Sequence, residues 1–245
     1  MEYDEWAPYY ARIRREFGFA MDRERAAAER LRSLLPRDAL RDPLGRATRR
    51  LAGRDVVVVG LAPRAGAPPV WRLPVARPTL AIVAADGAAE RCLDAGLVPE
   101  VVVTDLDGPV PSEVLANARG ALVVVHAHGD NVPQLERWVP EFSGELAGSW
   151  AGPPAQELLD VGGFTDGDRA AFLAAHAPAR RILLWGFDFS DVREASADDA
   201  VRKREKLRWA GELLAVLARG RTPVLTWRSD GTMEPYGGGR GPATQ

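Results

Sequence analysis

The chain of 245 residues contains one cysteine, Cys92, and only two lysines, Lys203 and Lys206, among its 32 basic residues. A single thiol excludes an intrachain disulfide and any metal site built on cysteines, and a reducing compartment is the default for such a chain. No apolar run reaches the roughly 18 residues that a membrane span needs. The opening, Met1 to Tyr10, is polar and acidic rather than signal-like, so the expected location is cytoplasmic. Net charge is −2, with 27% charged and 46% hydrophobic residues, a balance that gives no support for nucleic acid or a membrane as partner. No Walker or Gly-x-Gly-x-x-Gly loop follows the first expected strand, where Gly60-Leu61-Ala62-Pro63 is only a tight turn. No Gly-x-Ser-x-Gly elbow occurs and Cys92 lies in a helical stretch, which argues against serine or cysteine hydrolysis.

What is present is an alternation of short β-branched runs with Ala- and Glu-rich stretches. The runs are Asp55–Gly60, Thr79–Ala85, Val101–Thr104, Ala121–His126, Arg181–Gly186 and Pro223–Trp227; helical stretches include Ala88–Ala95 and Val201–Ala218. This pattern predicts an α/β fold, a mostly parallel Rossmann-like sheet with helices on both faces. Residues 1–52 read as an N-terminal helical extension of two or three helices, its aromatics serving packing. Residues 53–228 read as the catalytic domain, and 229–245 as a loosely ordered Gly/Pro-rich tail. Whether the extension caps a cleft, forms a homodimer interface or covers the sheet is open at this level.

Polar motifs collect at the carboxyl ends of these runs: Asp86-Gly87, Asp105-Leu106-Asp107-Gly108, His126-Ala127-His128-Gly129-Asp130-Asn131 and Gly186-Phe187-Asp188-Phe189-Ser190. A fifth, Gly163-Phe164-Thr165-Asp166-Gly167-Asp168-Arg169, precedes a helix. Each alone is an ordinary turn. Parallel strands, however, deliver such ends to one rim, where α/β sheets bind ligands. Extended geometry puts Asp105 and Asp107 on the same side of the backbone, where two repelling anions call for a cation. Hard oxygen donors with few nitrogens suit magnesium, which shares its remaining positions with phosphates. His126 and His128, with Asp130 as third ligand, form the zinc alternative. The basic stretch Arg202 to Arg208 holds both lysines and can either neutralise phosphate or face solvent.

These motifs, in this order, resemble the archaeal-type 6-hydroxymethyl-7,8-dihydropterin pyrophosphokinase family. That family is related to thiamine pyrophosphokinase, whose Asp-Phe-Asp-Ser motif is similar to Asp105-Leu106-Asp107-Gly108. The resemblance runs from about Val56 to Leu207. It departs at the first loop, where the family has a Gly-x-Gly-Pro-Ser-like turn and this chain has Gly60-Leu61-Ala62-Pro63-Arg64. The resemblance implies a diphosphotransferase that moves diphosphate from ATP to the hydroxymethyl group of a reduced pterin, with Mg2+, releasing AMP. The C-terminal β-sandwich of thiamine pyrophosphokinase is not expected after Trp227, which favours the pterin; transfer to thiamine or a non-catalytic nucleotide-binding module are the alternatives.

Rim and resemblance together imply residue roles. Asp105, Asp107 and Asp86 are the expected metal ligands, with Asp130 in support. Catalytic roles fall to Asp105, Asp107, Asp130 and His128. Substrate and phosphate contacts are expected from Gly87, His126, Asn131, Thr165, Asp166, Asp168, Arg169, Lys203 and Lys206.

Overall fold

A computed structural model of the chain describes residues 3–62, 79–153, 157–190, 192, 196–227 and 232–237. The first loop from Pro63 onward and the tail beyond Gly237 lie outside the described residues. Apolar runs, valine-rich in all but the second, form the strands β1 (Asp55–Val59), β2 (Leu80–Ala85), β3 (Val101–Thr104) and β4 (Leu122–His126), in which every residue is buried. Side chains alternate between faces, so both faces of these strands are apolar and each must be covered by helices. The sheet continues with β5 (Leu146–Ser149), β6 (Arg181–Trp185), β7 (Val224–Trp227) and β8 (Met233–Pro235).

Strand order is β5-β4-β3-β2-β1-β6-β7-β8, parallel throughout except for the antiparallel β7–β8 pair. The chain therefore builds outward from β1 to β5, then returns to the other side of β1 with β6. The reversal lies between β1 and β6, and a crevice opens at the carboxyl ends of strands flanking such a switch point.

Three helices precede the sheet: α1 (Tyr3–Phe17), α2 (Met21–Leu34) and α3 (Pro43–Leu51). They are followed by α4 (Ala88–Asp94), α5 (Val110–Ala118), α6 (Val132–Trp138), α7 (Asp166–His176) and α8 (Ala197–Leu217). One core layer joins Trp6, Tyr10 and Ile13 of α1 and Leu51 of α3 to Val56, Val58, Phe172 of α7 and Trp209 of α8. The other joins Ala27, Ala28 and Leu31 of α2 to Val57, Val59, Cys92, Val123 and Leu135. The N-terminal helices thus contribute to the cores on both faces of the sheet. Among the described residues no helix is long and apolar enough to cross a membrane.

Candidate active site

The rim is built first by the end of β3. Thr104 Oγ1 accepts the Leu106 N–H at 2.9 Å and Asp105 Oδ1 accepts the Asp107 N–H at 3.2 Å. Between them Leu106 adopts a left-handed backbone, φ 68°, which costs energy for a residue with a Cβ, and drives its side chain into the core at 2% exposure. The two carboxylates are left at the surface of the crevice. Asp86, after β2, is also left-handed, φ 48°. Its carboxylate fills the space beside Gly108, where a Cβ would lie 2.4 Å from Asp86 Oδ1, so a side chain there would push the carboxylate out of place. One oxygen each of Asp86, Asp105 and Asp107 lies within 4.8 Å of the others.

Three carboxylates at this spacing disturb one another. Burial, then the charges of Asp105 and Asp86, push Asp107 up to about 6, with Lys206 pulling the other way. Burial would raise Asp105 too, but the hydrogen bond from His128 holds it below the ordinary carboxylate range. The His128 ring is oriented for this: its Nδ1 accepts the Asp130 N–H at 3.3 Å, which places a proton on Nε2, 3.4 Å from Asp105 Oδ2. Glu113 of α5, fully buried beside Asp86, is pushed up to about 9 by burial and by the Asp86 charge, and so stands as a neutral acid.

The cluster opens into a cavity of about 320 Å3 at the switch point. Its walls are Gly60–Ala62 after β1, Gly186–Phe189 after β6, Phe164–Gly167 at the start of α7, and Lys203, Lys206, Leu207 and Ala210 of α8. Acid faces base across it, and Phe187 and Phe189, with centroids 6.2 Å apart, make one side aromatic. Asp166 sits in the wall, its carboxyl raised well above the ordinary range by burial and by Asp105, against the pull of Arg169. Arg169 Nη1 donates to Asp166 Oδ1 at 2.9 Å.

The structure sorts the expected residues. Asp86, Asp105, Asp107, Thr165, Asp166, Lys203 and Lys206 line the cavity together. The others do not line it. Asp168 is fully buried and accepts the N–H groups of Phe164 and Thr165, each at 2.7 Å; it caps α7 rather than facing a ligand. Arg169 is 5% exposed and pairs with Asp166. Asn131 donates to the carbonyls of Asp105 and His126, both at 2.8 Å, and accepts the His128 N–H, so it laces the loop. His126 is buried against Ser149 Oγ at 3.0 Å, and burial keeps it neutral. Asp130 is exposed and lies outside the three-carboxylate group. His126, His128 and Asp130, the zinc alternative, do not form a metal-holding group among the described residues. Gly87 starts α4, packed against Pro109.

Sequence reasoning gave no role to Phe187 and Phe189, although their motif was visible, and passed over Glu113, an unremarkable glutamate in an ordinary helix until its neighbours in space are known.

The family model described as "6-hydroxymethylpterin diphosphokinase MptE-like" matches residues 44–194. Three curated relatives carry the name 6-hydroxymethyl-7,8-dihydropterin pyrophosphokinase. The one from Pyrococcus furiosus is 37% identical, covering 92% of this chain and 98% of the relative. That from Methanocaldococcus jannaschii is 32% identical over 89% and 96%. That from Methanothermobacter thermautotrophicus is 36% identical over 93% and 100%. The resemblance read from the motifs holds across nearly the whole length, and the chain belongs to the MptE-like 6-hydroxymethylpterin diphosphokinase family.

Proposed function

We propose that the chain transfers diphosphate from ATP to the hydroxymethyl group of 6-hydroxymethyl-7,8-dihydropterin, releasing AMP, with Mg2+ held by Asp86, Asp105 and Asp107. The observation that carries this reading is three carboxylate oxygens within 4.8 Å at the switch-point crevice, faced by the only two lysines of the chain. The donor set fits a small hard cation: all oxygen, and with one carboxyl already displaced upward by burial and by the charges of its neighbours. When bound, the cation draws charge from the phosphate oxygens.

The protein's own part is placement and charge. Diphosphoryl transfer needs the acceptor oxygen in line with the β-phosphorus and cationic groups against the phosphates. Lys203 and Lys206 supply the second of these from α8. Asp166 and Thr165 present oxygens to the ring nitrogens of the pterin, and Phe187 and Phe189 offer faces on which a flat heterocycle stacks. His128 holds Asp105 ionised and oriented. The relatives' names support the pterin as acceptor.

The test is an assay of AMP release from ATP, with the reduced pterin and thiamine offered separately and together. Magnesium-dependent AMP release with the pterin, abolished in Asp107→Asn while the variant stays folded, is the expected result. Near-normal activity of Asp107→Asn, or ATP binding without AMP formation under any condition, would overturn the reading.

A further inference from the structure

Glu24 lies in the first turn of α2, far in sequence from the rim, yet it touches the loop that carries His128. Only 5% of it is exposed. Its Oε1 accepts the Gly129 N–H at 3.1 Å and its Oε2 accepts the Tyr10 hydroxyl at 3.0 Å. Burial and the Glu24 carboxylate push the Tyr10 phenol far up, so it remains a donor. The approach of α2 to the loop is close: a Cβ on Gly129 would lie 2.8 Å from Arg23 Cβ and 3.1 Å from Glu24 Oε1. Burying a carboxylate is costly, and here two donors, the Tyr10 hydroxyl and the Gly129 N–H, both converge on it.

The connection continues from Gly129 into the carboxylate cluster. Asn131 N–H donates to the His128 carbonyl at 3.1 Å, and the Asp130 N–H fixes the His128 ring. His128 Nε2 then reaches Asp105 Oδ2, while Asn131 Nδ2 binds the Asp105 carbonyl. A second contact runs in parallel: Phe17 and Phe19, at the end of α1 and just beyond it, pack on Phe164 of the cavity wall with centroids 5.0 and 6.3 Å away.

We propose that Glu24 is a positioning residue of the active site: through Gly129 and His128 it holds Asp105 in the orientation that receives a divalent cation. The N-terminal helices are in this sense a working part of the site and not a separate extension. The inference rests on the reading of Asp86, Asp105 and Asp107 as cation ligands.

The experiment uses the full chain, with magnesium titration of AMP release and calorimetric binding of Mn2+. Glu24→Leu is expected to raise the half-saturating magnesium concentration and lower kcat about tenfold, as suits loss of a hydrogen bond to a charged acceptor. Glu24→Gln, whose amide oxygen still accepts the Gly129 N–H, is expected to recover to within about twofold. In a His128→Ala background Glu24→Leu should change nothing further, whereas a residue that only stabilises the fold would act equally in both backgrounds. Tyr10→Phe releases one Glu24 oxygen and should shift the magnesium dependence about threefold the same way; it is the probe if Glu24→Leu does not fold. Either variant, folded and with the parent's magnesium dependence, overturns the inference, as does an undiminished effect in the His128→Ala background. A parent that neither releases AMP nor binds Mn2+ overturns the proposed function and this inference with it; an active parent with unaffected variants overturns this inference alone.

Discussion

Asp107→Asn should make the protein more stable when no cation is present, while abolishing its activity. Asp107 lies within 4.8 Å of two other carboxylates. At that distance two unit charges repel by about 3 kcal/mol at an effective dielectric of about 20 and by less than 1 kcal/mol in water. Asp107 is exposed, so a net cost of about 1–2 kcal/mol is appropriate after solvent screening. The sign follows from its raised carboxyl. Between the ordinary carboxylate range, 3.8, and about 6, the unfolded chain releases a proton that the folded chain keeps, so stability falls as pH rises through that window. The cost is fully present above about pH 6 and absent below about pH 4. In EDTA at pH 7.5 the variant should melt about 2–6 °C above the parent, and the gap should close at pH 4. Magnesium at ten times its dissociation constant should raise the parent by about 1.4 kcal/mol and leave the variant unmoved. Circular dichroism melts at the two pH values, with and without the ion, measure all of this. A variant no more stable than the parent in EDTA at pH 7.5, or a gap that persists at pH 4, would refute the electrostatic reasoning.

Two further outcomes follow from buried carboxyls. Glu113→Gln removes a group that the folded chain keeps protonated up to about 9, against 4.5 for the ordinary glutamate, so it should stabilise increasingly from pH 5 to pH 9. About 2–3 kcal/mol at pH 7, read by urea titration, is expected, and a pH-independent difference would sink the assignment of a neutral acid. Asp168→Ala takes away the acceptor for two backbone N–H groups at the start of α7, and should cost about 2–4 kcal/mol. Melting should drop by roughly 5–10 °C, and the loss should persist in saturating magnesium, since Asp168 is not in the carboxylate cluster.

The central strands were legible because three or four valines in a row have few other places to go. The ends of two strands were legible as chemistry because carboxylates and glycines follow them directly. Leu146–Ser149 was missed: Ala147, Gly148 and Ser149 carry no β-branched signal, and the strand is specified by its pairing with β4 and by α2 lying over it. Met233–Pro235 falls in the Gly/Pro-rich stretch, yet it pairs antiparallel with β7, a pairing that depends on a neighbouring strand and not on local composition. The site divides the same way. Spacing identified Asp105 and Asp107, and the isolation of the two lysines pointed to α8. It could not separate Asp166, which faces the cavity, from Asp168 two residues on, which faces inward, because both start the same helix and only the capping geometry distinguishes them. Glu113 and Glu24 act through space across more than one element, and nothing local marks either.

The placement of the first helices has a consequence for biosynthesis. Trp6 donates its indole N–H to the carbonyl of Ala151, 145 residues later, and Glu16 accepts from both Arg208 and Trp209. A ribosome adding about 5–20 residues per second leaves α1 waiting on the order of ten seconds for Ala151, and longer for α8. During that interval the apolar faces of α1 and α2 have no sheet to cover. Folding of this chain is therefore expected to finish at its beginning, with the N-terminal helices docking last onto a sheet assembled from everything that follows them.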